Sequence, residues 1–298
     1  MTGPGLYPDM PAATYHADPA DEPSLSSSIA KILINETPKH AREAHPRLNP
    51  NFTEKTATKA MDLGSVAHEI LLGKGTGFEV CPYDDYKTKV AREWRDEITL
   101  SGKIPIKEDD LDAAEAMASA VCARLAEIQG IERALIEGAA ETSIIWRDAL
   151  GPMCRARPDW LDLGGPAIYD LKTTGTGLDD RSLNAKIASP YTAYDMRAAF
   201  YLRGIERLVP AAAGRIVYRW IFVESAPPFE ARVVEMDEIT RGFGDRKAAY
   251  AIAKWQRCLT ENRWPGYPRK IEKPSYPPWA ETAWLDREFE EMVSDTVS

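Results

Sequence analysis

The chain has 298 residues, 44% hydrophobic and 28% charged. That length suits one large or two small domains, and the composition excludes a largely disordered chain. Lys and Arg number 37 against 46 Asp and Glu, a formal charge of −9, which excludes a strongly basic, non-specific DNA coat. Residues 279–298 hold six acidic residues and one basic, net −5, so the remaining −4 leaves room for a local basic groove. No run of about 18 apolar residues occurs, and the first residues lack a basic stretch before an apolar one. The expectation is a protein that neither spans a membrane nor is secreted, working in the cytoplasm. Cys81, Cys122, Cys154 and Cys258 stand apart with no C-x-x-C pair. A zinc site therefore has no support, and free thiols are expected.

Residues 1–24 contain five prolines and read as an irregular arm. Ser26, Ser27 and Ser28 precede Ile29, Ala30, Ile32 and Leu33, which predicts a capped short helix ending before Pro38. Residues 46–58 are polar and predict a loop. A helix is predicted over 59–72, with Met61, Ala67, Ile70 and Leu71 as its buried stripe and Gly73 as its stop. Over 109–128, Leu111, Ala114, Ala118, Val121, Leu125 and Ile128 recur at helical spacing behind an acidic first turn. From Glu141 the pattern changes to β-type runs at 142–146, 153–163 and 167–173, divided by turns that include Gly164-Gly165-Pro166. Ser189-Pro190 predicts a helix start running to about residue 209. Strands at 215–224 and 229–236 follow, and Asp237 caps a helix to about residue 262. The sum is a mixed α/β fold: a mostly antiparallel central sheet flanked by helices, with a helical N-terminal part. It divides into an arm and short helix (1–58), a core domain (59–270) and an acidic tail (271–298).

The informative segment runs from Cys154-Arg155-Ala156-Arg157-Pro158-Asp159 to Asp170-Leu171-Lys172-Thr173. A hairpin centred on Gly164-Gly165 sets Asp159 directly opposite Asp170, about 5 Å apart at Cβ. Two such carboxylates repel unless a cation holds them, and a hard divalent ion with oxygen ligands does so. Lys172 shares a face with Asp170 by period two and can orient a water or stabilise charge on a phosphate. An isolated D-x-K is ordinarily a surface ion pair. Here the opposed aspartate and the apolar approach through Ala167, Ile168 and Tyr169 argue otherwise. A lone helical His is most often a packed or solvent-facing residue, yet His68 also offers a third ligand.

These residues form a series: G-x-x-x-H at Gly64 and His68, R-P-D at Arg157-Pro158-Asp159, and D-L-K-T-T from Asp170 to Thr174. With Ser26-Ser27-Ser28 and Glu141-Thr142-Ser143, the series resembles the PD-(D/E)XK nucleases of the RecB-like group. Within that group it is most similar to the RecE-type phage and prophage exodeoxyribonuclease VIII. The resemblance covers about residues 14–267, makes the core a PD-(D/E)XK nuclease domain and implies Mg²⁺ or Mn²⁺. The ligands it implies are His68, Asp159, Asp170 and the backbone carbonyl of Leu171, with Lys172 positioning the attacking water. Glu141 either helps hold the metal or a nearby water, or only caps a strand end. Arg155, Arg157, Arg197, Tyr201 and Ser27 are the implied DNA contacts. The implied reaction is hydrolysis of linear duplex DNA from an end in phage-type recombination. Its implied setting is a DNA-threaded ring of identical copies beside a single-strand annealing recombinase, in the bacterial host. A catalytically silent DNA-end-binding or recombinase-partner module is the alternative, and a hydrolase of another phosphoester is a third reading.

One departure stands out. The group carries Q-x-x-x-Y after the D-x-K strand, and here Arg197 replaces the glutamine while Tyr201 is kept. Residues four apart share a helix face, so the pair is expected to address one phosphate. Trp264-Pro265-Gly266-Tyr267 either stacks on bases or packs on the sheet. Cys258 is the single late cysteine, so no iron–sulfur cluster is expected.

Overall fold

A computed structural model describes the backbone of residues 1–53 and 59–297, and the side chains of 1–53 and 63–293. Met61 and part of the expected 46–58 loop lie outside the described residues. The chain forms two compact units, Met1–Gly266 and Tyr267–Ser298.

The first unit opens with β1 (Gly5–Tyr7) and α1 (Ala12–His16), where an irregular arm is expected. The prolines are tolerated because Pro11 stands at the N-cap and β1 is an edge strand. Next come β2 (Leu25–Ser26), α2 (Ser27–Asn35) and α3 (Pro38–Glu43). The Ser26 hydroxyl caps α2, accepting from the Ile29 N–H at 3.3 Å. Then follow α4 (Lys59–Leu72), β3 (Phe78–Val80), α5 (Lys89–Leu100) and β4 (Ile104–Ile106). The acidic first turn of α6 (Glu108–Glu127) favours the helix dipole.

The β-rich half contains β5 (Ala139–Ala140), β6 (Ser143–Arg147), β7 (Met153–Ala156), β8 (Trp160–Asp162) and β9 (Ala167–Thr174). It continues through α7 (Asp180–Ala188), α8 (Tyr194–Leu208), β10 (Val217–Glu224), β11 (Ala231–Glu235) and α9 (Glu238–Glu261). The second unit contains α10 (Pro278–Val297).

Five strands form the main sheet in the order β11-β10-β9-β8-β5, with β9 and β10 parallel and the other pairs antiparallel. A second sheet has the order β1-β6-β7-β2, and β3 and β4 form a parallel pair. Period-two alternation buries both faces of the main sheet. Ile168, Tyr218, Trp220 and Phe222 join the core that holds Phe200 and Trp255 of α8 and α9. Tyr169, Ile221 and Val223 join the core that holds Val66 of α4 and Met117 of α6.

Two sequence expectations need correction. The run at 153–163 is two strands in two sheets, because Pro158 has no N–H for a ladder and the chain crosses between sheets there. The helix expected from Ser189-Pro190 begins at Tyr194 instead, and Ser189 is the C-cap of the unexpected α7. Asp179 starts α7, its carboxylate accepting from the Ser182 N–H at 3.0 Å.

Candidate active site

Strands β8 and β9 pair Trp160 with Tyr169 and Asp162 with Ala167. That register continues to Asp159 opposite Asp170. Asp159 stands just outside β8, its carbonyl accepting from Glu141 N at 2.9 Å and its Oδ2 from Leu171 N at 2.7 Å. Asp170 is 4% exposed and ion-paired with the Lys172 ammonium. Lys172 Nζ also donates to the Leu171 carbonyl at 3.1 Å and lies 5.6 Å from the Tyr194 ring centroid.

On α4, Gly64 allows a close approach to β9, since a Cβ there would meet Thr173 Oγ1 at 3.0 Å. One turn later His68 Nε2 stands 3.5 Å from Asp159 Oδ1. Burial alone would lower the imidazole, but Asp159 and then the Glu141 charge outweigh it and raise its proton affinity. Burial opposes ionisation of Asp159, yet Lys172, His68 and the Leu171 N–H bring its carboxyl down to about 2. Burial and the neighbouring Asp159 charge outweigh Lys172 at Asp170, whose carboxyl is raised.

All of these residues except the buried Asp170, which its partner Lys172 covers, line a cleft of about 710 Å³. His68, Glu141, Asp159, Leu171, Lys172 and Arg197 all border it. Tyr194 borders it too and is absent from the sequence reading. The signal for it is helical spacing, three residues before Arg197 on α8. Ser65 and Thr173, beside the motif residues, complete the same wall.

Several expected DNA contacts are placed elsewhere. Arg155 is 4% exposed and donates to Ser24 O at 2.7 Å and Ser24 Oγ at 2.8 Å, with Asp18 at 3.2 Å. It ties the N-terminal segment to β7 and is closed to DNA. Arg157 spends its guanidinium on Glu141 at 2.8 Å, Ser143 at 2.6 Å and the Met10 carbonyl at 2.9 Å. Its role is to hold Glu141 rather than a phosphate. Ser27 is buried and donates to the Tyr201 hydroxyl at 3.4 Å. Tyr201, 5% exposed, lies behind Arg197 and not beside it in the cleft. Arg197 itself is half-buried, its charge favoured by Tyr201 and then Asp170 against the cost of burial. Trp264 packs on Trp255 with ring centroids 5.1 Å apart, and Tyr267 is exposed.

Known proteins share this fold. A family model described as a PDDEXK-like domain of unknown function, DUF3799, matches residues 26–274. The chain belongs to that family. A crystal structure from Eubacterium rectale, titled a "putative exonuclease", is similar over 90% of this chain and 96% of its own, with a TM-score of 0.54 and 14% identity. That likeness speaks to the shared PDDEXK-like fold. A second solved structure, SSO0001, covers 74% of this chain at 12% identity with a TM-score of 0.29. Among curated proteins none matches. No helix of the described residues is long and apolar enough to cross a membrane.

The donor set can be weighed for a divalent ion. One buried carboxylate (Asp170), one half-buried carboxylate (Asp159), a strand carbonyl and an imidazole are hard or borderline donors, and no cysteine borders the cleft. Asp170 is raised by its burial first and by the Asp159 charge second, and a dication beside the two would favour their ionised forms. Among the described residues, no three His, Cys, Asp or Glu side chains converge on one point. Lys172 is what occupies the Asp170 carboxylate and the Leu171 carbonyl. Binding an ion there requires its ammonium to swing toward the cleft.

Proposed function

We propose that this DUF3799 protein is a divalent-metal-dependent deoxyribonuclease, an exonuclease that hydrolyses linear duplex DNA from an end. The observation that carries the reading is Lys172 paired with Asp170, opposite Asp159 and within one cleft with His68 and Arg197. The residues that would hold Mg²⁺ or Mn²⁺ are Asp159, Asp170, the Leu171 carbonyl and His68. When bound, the ion supplies Lewis-acid stabilisation of charge developing on the phosphate.

The chain's own groups do the rest. Lys172 has three N–H donors, two of them on Asp170 and the Leu171 carbonyl; were an ion to take those acceptors, the donors would be freed for a water or a phosphate oxygen. Arg197 presents a planar cation to the strand. Arg157 fixes Glu141 at the rim through a 2.8 Å bond, where it can orient a water. The order of motifs supports a phage-type recombination role in the bacterial cytoplasm, with a single-strand annealing recombinase as partner and a ring of copies around the DNA. A silent copy has no reason to keep His68, Asp159, Asp170 and Lys172 together.

The test is incubation of end-labelled linear and covalently closed circular duplex with Mg²⁺, with and without EDTA. Linear DNA is expected to be degraded, circles spared and EDTA inhibitory. Efficient cutting of relaxed closed circles overturns the exonuclease reading in favour of an endonuclease.

A further inference from the structure

The outward face of α9 carries a row of side chains that the cleft does not use. Ile239, Phe243 and Tyr250 are 75%, 55% and 58% exposed. Steps of four and seven residues set them on one ridge, away from the buried Gly244, Ala248, Ala251 and Trp255. Cations interleave with them. The Arg246 guanidinium lies 5.5 Å from the Phe243 ring centroid, and Lys254 Nζ lies 5.5 Å from that of Tyr250. Arg257, one turn further, is exposed and extends the row. Asp245, at the edge of this face, is taken by Arg203 at 3.0 Å.

Rings left in water call for a partner, and rings alternating with cations call for one that is both anionic and flat-faced. An unpaired nucleic-acid strand meets both demands, with bases to stack and phosphates to pair. A duplex keeps its base faces within its own stack, so it meets only the second. The place also fits. Helix α9 presses against the start of α8, where a Cβ on Gly244 would lie 2.3 Å from the Asp195 carbonyl oxygen. Lys247 Nζ pairs with Asp195 at 2.5 Å, and Asp195 follows the cleft residue Tyr194. Helix α9 thus abuts the helix that carries the cleft residues Tyr194 and Arg197. From Ile239 to Arg257 the ridge runs about 27 Å, in scale with single-strand sites of about 4–16 nucleotides.

We propose that this face of α9 is a binding track for single-stranded DNA, distinct from the cleft. Phe243 and Tyr250 stack on bases and Arg246 and Arg257 contact phosphates, while Lys254, which donates to the Leu33 carbonyl at 2.7 Å, holds its place beside the Tyr250 ring. The proposal rests on the nuclease reading only for the source of the strand.

The test is fluorescence anisotropy of a labelled oligothymidylate of about 20 nucleotides, in EDTA, on the full chain and on Lys172→Ala. Equal binding by both is expected, so strand binding is read independently of hydrolysis. Phe243→Ala and Tyr250→Ala are each expected to weaken binding about 5- to 100-fold. Arg246→Glu is expected to weaken it and flatten its salt dependence. Circular dichroism checks that these surface variants stay folded. An oligonucleotide bearing 5-iodouracil is expected to crosslink on irradiation to the peptide containing Tyr250. Wild-type affinity in the doubly substituted Phe243→Ala/Tyr250→Ala chain overturns the proposal. So does equal competition by an oligoglutamate, which would assign the face to an acidic protein, or stronger competition by a duplex of the same length.

Discussion

Lys172 holds two acceptors that a cation would otherwise claim, so its substitution separates chemistry from binding. Lys172→Ala is expected to lower the rate of duplex degradation by about 10²–10³-fold or more while calorimetry still detects Mg²⁺ binding. Near-wild-type turnover would make Lys172 a mere salt-bridge partner of Asp170. Arg197 makes a second test, because it is half-buried at the cleft with Tyr201 behind it, and Tyr201 and then Asp170 favour its charge. Arg197→Gln keeps a donor there and is expected to retain cleavage, with weaker DNA binding at raised salt. Arg197→Glu adds a carboxylate to a site that already holds Asp159 and Asp170, and is expected to nearly stop cleavage with the fold preserved. Normal digestion by Arg197→Glu would turn that side chain to solvent.

Among elements, β2 is two residues long, and its attachment to β7 depends on a buried polar knot. Asp18 accepts from the Ser24 hydroxyl at 2.6 Å and lies 3.2 Å from Arg155 and 3.3 Å from His45. Burial would raise the Asp18 carboxyl, but His45, Arg155 and Ser24 outweigh it and leave it lowered. A lowered carboxyl stabilises the fold above its unfolded value, about 3.9, and that contribution fades as pH falls through the folded value. Asp18→Asn, which leaves Arg155 buried without its ion partner, is expected to cost about 3–5 kcal/mol at neutral pH. The difference from wild type in denaturant unfolding should shrink toward acid, and a pH-independent difference would contradict the assignment. This knot is not legible in the sequence, since Ser24 and Arg155 are 131 residues apart and an arginine just ahead of the R-P-D motif reads equally well as a phosphate ligand. The opposition of Asp159 and Asp170 is legible, because a glycine turn sets the midpoint of a hairpin whose register has no slack. Helix α4 and its Gly73 stop are legible, but its buried stripe only in part: Val66, Ala67 and Leu72 are buried while the expected Ile70 is exposed. Tyr194 is hidden because Ser189-Pro190 mimics a helix start ahead of the true N-cap, Ala193.

At the scale of the whole molecule, the net charge of −9 and the burial of Arg155 leave few cations for phosphate. Duplex binding measured against salt should therefore fall less steeply than for a protein making about 6–10 phosphate contacts. A slope as steep as theirs would require a basic surface beyond the cleft and α9. One further property follows from Arg157-Pro158-Asp159, where the backbone leaves one sheet and enters the other. Asp159 is the last residue before β8, and two residues separate it from the end of β7, which pairs with β2. Displacing the amino-terminal strands is therefore expected to shift the carboxylate that faces His68. Cutting away residues 1–26, none of which borders the cleft, is expected to silence the enzyme all the same, by loosening the anchor of its most exactingly placed acid.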